Sequence, residues 1–247
     1  MPIASGRAAA DPLGITHAEV SPNIATAELP RLAHTAGSAT ARNDPLCNYR
    51  LVQPVAPDFV THYHLASRPP LLNLCDLPED RLELVIAELE AERAAGLSSR
   101  VFGRRYMELR RRTEGKLRAL FVAAGGRPKR AAPHYFVLGE SRWFQQLAAD
   151  MSRLTVPIAD LPSEVTSFTY PDSFTAMGIV VEYGIAYERR PYHERVFRIE
   201  ELAEVIGLYG LPPDEPGGYG DYHRELFERY VEVQVWSDDP LRAFLPG

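Results

Sequence analysis

Cysteine is scarce: Cys47 and Cys75 are the only two in 247 residues, too few and too far apart for a disulfide framework or a structural zinc site. No apolar run approaches the ~18–20 residues that a membrane helix needs, so no membrane association is expected. The first ten residues hold one arginine and no apolar block, which gives no secretory signal. A reducing, cytoplasmic setting follows from these absences. The chain also lacks G-x-S-x-G, a Walker loop, G-x-G-x-x-G and H-E-x-x-H. The most recognisable esterase, phosphate-loop, dinucleotide-fold and zinc-protease signatures are therefore missing. Residues 1–46 contain no Phe, Tyr or Trp. Such a stretch buries little surface, and it is expected to be a flexible arm preceding a single domain over 47–247.

Lysine is almost absent as well: apart from Lys116 and Lys129, every basic residue is arginine. Overall the proportions are ordinary for a globular chain, with 45% hydrophobic and 24% charged residues. The net charge of −6 conceals an uneven distribution. Between Ser98 and Arg130 eleven basic residues face only Glu108 and Glu114, so this segment carries +9 and the remainder −15. A basic segment in an acidic chain is a candidate footprint for phosphate, in a nucleotide or along a nucleic acid contacted by Arg100–Arg130. The alternative is a solvated helix face with Glu108–Arg112 and Glu114–Arg118 as i,i+4 pairs.

Hydrophobic periodicity supplies the elements. Asp58–Leu65 alternates as a strand, with His62 and His64 sharing one face. Asp76-Leu-Pro-Glu79 resembles a capping box, followed by Leu82, Val85, Ile86 and Leu89 at helical spacing until Gly96. A second helix is predicted from Arg104 to Ala124, with Tyr106, Leu109, Leu117, Leu120 and Phe121 as its buried stripe. His134–Leu138 is a short strand, and a short helix runs through Trp143 and Met151. Further strands are predicted at Leu154–Ile158, Val165–Tyr170 and Gly178–Tyr187, and a helix within Phe197–Tyr209. Arg229–Trp236 is the cleanest alternating strand in the chain. Without a regular βαβ alternation, the expected class is α+β.

That last strand puts Val231, Val233 and Val235 on one face and Tyr230, Glu232, Gln234 and Trp236 on the other. One interpretation is a sheet with a solvated side. The other is a cleft in which aromatics stack on a ligand while Glu232 stabilises developing positive charge. His62-x-His64 could grip a metal through two imidazoles, although no second tight histidine pair completes a ligand set. Each histidine taken alone is more simply a satisfied core residue. Tyr170 and Asp172, in an aromatic-rich turn, could line a cleft rim.

The order of these parts resembles that of the DNA-targeting ADP-ribosyltransferase toxins, the DarT-like group. His62-Tyr-His64 is similar to that family's first strand, and Val231-Glu-Val-Gln-Val235 to its late strand bearing the catalytic Glu. Pro133-His-Tyr-Phe-Val137 and Ser141-Arg-Trp143 fall in order between them. The resemblance implies a split mixed or antiparallel β-sheet with flanking helices and NAD as substrate. It implies Glu232 as the catalytic anion for an oxocarbenium-like state. His62 and His64 would contact the ribose hydroxyls, Arg104 or Arg105 the pyrophosphate, and Tyr135 or Tyr170 would stack on nicotinamide. Two other classes fit the residues: a metal-dependent enzyme using His62 and His64, and a non-enzymatic module binding nucleic acid or protein.

Overall fold

The computed structural model describes residues 55–100, 102–214 and 227–245, all within the compact unit Leu51–Gly247. The arm expected over 1–46 lies outside the described residues. Six strands form one sheet: β1 (Phe59–Leu65), β2 (His134–Leu138), β3 (Met151–Pro157), β4 (Thr166–Thr169), β5 (Phe197–Arg198) and β6 (Glu232–Val235). Their order is β3-β1-β2-β6-β4-β5, and every neighbouring pair is antiparallel. The helices are α1 (Glu79–Ala94), α2 (Arg104–Ala123), α3 (Arg142–Gln145), α4 (Ser173–Ala176) and α5 (Leu202–Tyr209). The α+β class is therefore as expected, and the sheet is antiparallel throughout.

Both faces of the sheet are covered. On one, Val60, Phe136, Phe168, Val233 and Val235 pack with Leu202, Val205 and Ile206 of α5. On the other, Leu109, Leu117 and Phe121 of α2 pack with Trp236, whose ring stacks on Phe121 at 6.0 Å. All four residues of β6 are buried. The solvated side that alternation alone allowed is thus filled by a helix, and Glu232 sits on an interior strand.

The sheet also parts locally. β1 pairs with β3 over seven positions but with β2 at only two, Val60–Leu138 and Thr61–Val137. Beyond them the His62 side chain replaces the ladder. Its Nδ1–H donates to the Tyr135 carbonyl at 2.8 Å, and its Nε2 accepts from the Leu71 N–H at 3.0 Å. A carbonyl can only accept and an amide N–H can only donate, so the two contacts fix the neutral tautomer. Burial pushes the His62 pKa down to about 4.

Several elements depart from the periodicity. The Asp76-Leu-Pro-Glu79 capping box does not form: α1 starts at Glu79 with no side-chain cap, and the Asp76 carboxylate pairs with Arg130. Met151 opens β3 rather than closing a helix. The strand expected at Gly178–Tyr187 is instead a 3-10 turn over Ile179–Tyr183. Gly178 and Gly184 bracket it at φ of 72° and 73°, a left-handed conformation that breaks an extended run and that glycine adopts without strain. The predicted helix in Phe197–Tyr209 begins only at Leu202, because Phe197 and Arg198 pair with β4.

Candidate functional site

A cavity of about 340 Å³ opens where α2 faces β1, β2 and β6. Its wall combines aromatic rings with a small charged group: Arg110, Glu114, Asp172 and Glu232. Such a mix of apolar walls and a few convergent polar groups is characteristic of small-molecule sites.

Glu232 is only 4% exposed, and its Oε1 accepts from Gln234 Nε2 at 3.2 Å. Gln234 is itself held by a buried relay. Trp236 Nε1 donates to Ser167 Oγ at 2.9 Å, and Ser167 Oγ donates to Gln234 Oε1 at 2.9 Å. Because the indole can only donate, the Ser167 hydroxyl proton is free to point at the amide oxygen, so the amide nitrogen faces Glu232. Gln234 Nε2 also lies 3.1 Å from Thr169 Oγ1. Period-2 alternation places these groups on one face, and pairing of β6 with β4 brings in Ser167 and Thr169.

Asp172 follows β4 and caps α4. Its Oδ1 accepts from the N–H groups of Phe174 at 2.9 Å and Thr175 at 3.1 Å. Its Oδ2 is buried without a hydrogen-bond partner among the described residues. Burial, then the adjacent Glu232 carboxylate, push the Asp172 pKa up to about 7.

Arg110 projects from α2 into a cage of rings, its guanidinium carbon 4.2 Å from the Phe174 centroid, 4.5 Å from Tyr135 and 5.6 Å from Tyr106. Nη1 donates to Ser173 Oγ at 3.1 Å. Burial opposes this charge, but Tyr106, Tyr135, Glu232 and Glu114 outweigh it and hold the guanidinium firmly protonated. Tyr135 donates its hydroxyl to Glu114 Oε1 at 2.9 Å, and burial raises the Tyr135 pKa well above the usual phenol value. Burial raises Glu114 too, against the lowering effect of Arg110. The Cys75 thiol beside Glu114 is pushed up to about 12 by burial, which makes it a poor nucleophile.

Of the residues singled out from sequence, Glu232, Tyr230, Tyr135 and Asp172 meet at this cavity. His62 and His64 also border it, but the register of β1 against β2 assigns them to the sheet face opposite Glu232. Both His62 nitrogens are occupied by backbone, and His64 Nδ1 lies 2.9 Å from the Leu65 carbonyl and 3.0 Å from that of Arg68. A metal at His62 would have to displace a backbone hydrogen bond. Among the described residues no group of three or more metal-ligating side chains converges. Tyr170 lies in the core on the other face, against Tyr192 and Tyr209, and its hydroxyl donates to the Tyr209 carbonyl at 3.3 Å.

Arg104 and Arg105 point outward, to Glu83 and Glu182. The pairs expected within the basic segment give way to partners from elsewhere. Arg111 meets Glu79, Arg112 meets Glu182, Lys116 meets Glu194, and Glu114 turns inward. The charge excess visible in the local sequence is therefore answered largely by distant acids. Sequence reasoning missed Arg110, Glu114 and the depth of Asp172. A signal for the first two was present: Met107, Arg110, Glu114 and Leu117 share one helix face, and two of these four positions are plainly apolar.

No protein-family model, curated protein or solved structure matches this chain.

Proposed function

We propose that this protein breaks the nicotinamide–ribose bond of NAD and transfers the ADP-ribosyl group, with Glu232 as the anion that stabilises the oxocarbenium-like transition state. The observation that carries this reading is a buried carboxylate on an interior strand, held in one orientation by the Gln234–Ser167–Trp236 relay at the wall of an aromatic cavity. As the bond breaks, nicotinamide departs with the bonding pair and positive charge develops on the ribose. A carboxylate already oriented by its neighbours meets that charge without reorganising, which is where electrostatic stabilisation is largest. Arg110, rather than Arg104 or Arg105, brings a guanidinium to the cavity wall and would face the pyrophosphate. Tyr135 and Phe174 would offer ring faces beside it. A volume of 340 Å³ is at the small end of the roughly 300–1,000 Å³ usual for such sites. It suits the nicotinamide nucleoside half, with the adenosine half at the mouth. The resemblance of the order of parts along the sequence to the DarT-like ADP-ribosyltransferases belongs to the same proposal. The exposed arginines of α2 add little to it, since acids already pair with them.

The test is nicotinamide release from NAD. Glu232→Gln keeps the shape and should fold, while release should drop by about 10²–10³, as when one electrostatic stabiliser is removed from an active site. Wild-type protein that releases no nicotinamide from NAD would refute the reading.

A further inference from the structure

We propose, resting on that donor reading, that Asp172 is the base that takes the proton of a hydroxyl acceptor as its oxygen attacks the ribosyl C1′. Asp172 lines the same cavity as Glu232 and is 4% exposed. Its two oxygens are unequal. Oδ1 is tied to two backbone N–H groups at the start of α4, while Oδ2 has no partner among the described residues. A buried carboxylate oxygen left unpaired destabilises the fold, and here Asp172 keeps that cost beside a second carboxylate. Purely structural capping would need only the bonded oxygen, which Ser or Asn could supply. The spare oxygen is explained if it receives a proton during the reaction.

The step balances. The C1′–nitrogen bond breaks and its electron pair leaves with neutral nicotinamide. An acceptor oxygen lone pair forms the new C1′–oxygen bond, and the acceptor proton passes to Asp172 Oδ2 and afterwards to solvent. A carboxylate acceptor has no proton to lose, so a base at this position selects for protic acceptors: water or an alcohol. The charged group facing Asp172 is Glu232 from β6, which with burial disfavours its ionisation, whereas the Thr175 side chain and the α4 backbone N–H groups favour it. Arg110 bonds the neighbouring Ser173 from α2. The balance leaves Asp172 titrating near neutrality, where a general base is most effective.

The experiment follows nicotinamide release by the full chain against pH, with NAD as donor and water or added methanol as acceptor. Wild-type kcat/KM should rise about tenfold per pH unit below about 7 and then level. Asp172→Asn and Asp172→Ser retain a capping oxygen. Each should lose that limb and slow turnover by about 10²–10⁴, with KM for NAD little changed. Added methanol should be captured as the methyl glycoside of ADP-ribose by the wild type, and correspondingly less by either variant. A variant that keeps the wild-type rate and pH limb overturns the role of Asp172 while leaving the donor reading intact. Absence of release from the wild type overturns both. If neither variant folds, the wild-type profile decides, and a flat profile from about pH 5.5 to 8.5 overturns the proposal.

Discussion

Replacing Asp172 with Asn should stabilise the protein at alkaline pH and destabilise it near pH 4. The wild-type carboxyl titrates at about 7 in the fold, against 3.8 for a free aspartate, because burial and the Glu232 charge disfavour its ionised form. Between those values the folded state holds a proton that the unfolded state has lost. Stability therefore falls as pH rises from about 4 to about 7, then stays low. Roughly three pKa units at 1.36 kcal/mol each amount to about 4 kcal/mol of lost stability above pH 7. Asn carries no charge to bury, so that loss disappears. Its amide nitrogen would occupy the place of Oδ2 without a partner, at a cost of about 1–3 kcal/mol. The net gain at pH 8 should be about 2 kcal/mol, turning into a net loss of about 1–3 kcal/mol near pH 4, where the wild-type carboxyl no longer carries the linkage penalty. Urea unfolding at both pH values, with unchanged m, measures this directly. If the Asp172→Asn variant gains no stability on going from pH 4 to pH 8, relative to wild type, Asp172 is not buried beside a charged Glu232. A gain in stability together with loss of turnover would follow the usual trade-off at functional sites.

Gln234→Leu should cost about 2–4 kcal/mol by denaturant midpoint, because it leaves the Glu232 carboxylate and the Ser167 hydroxyl without their buried partner; a cost below about 1 kcal/mol would show that the relay does not hold Glu232. Arg110→Met should lower stability by about 3–5 kcal/mol, since it leaves Glu114 and Glu232 without the enclosed cation. Arg104→Ala and Arg105→Ala should stay within about 0.5 kcal/mol and preserve any melting shift caused by NAD. Thermal unfolding with and without NAD distinguishes these sites, and a shift that depends on Arg104 but not Arg110 would return the anion site to the outer face of α2.

The sequence by itself determined the local elements whose pattern repeats. β1 and β2 follow from alternation, α1 and α2 from apolar spacing, and β6 from the strict Val231-x-Val233-x-Val235 pattern. It also placed Glu232, Gln234 and Trp236 on one face, because side-chain direction along a strand is a local property. Tertiary structure alone decided what that face meets. Alternation reads the same for a half-solvated sheet and for one covered by α2, and only packing distinguished them. Charge partners were illegible for the same reason. Arg104 and Arg110 differ little as residues on a helix, yet one meets solvent and Glu83 while the other enters a cage of rings. The sequence leaves His62 open as a ligand or, more simply, a satisfied core residue; the fold makes it a bridge across parting strands, and its partners, Leu71 and Tyr135, lie 9 and 73 residues away. The ionisation of Asp172 depends on burial and on Glu232, 60 positions along the chain, so no local pattern could carry it. Periodicity encodes the direction of a side chain, whereas its protonation and partners are set by what the rest of the fold brings against it.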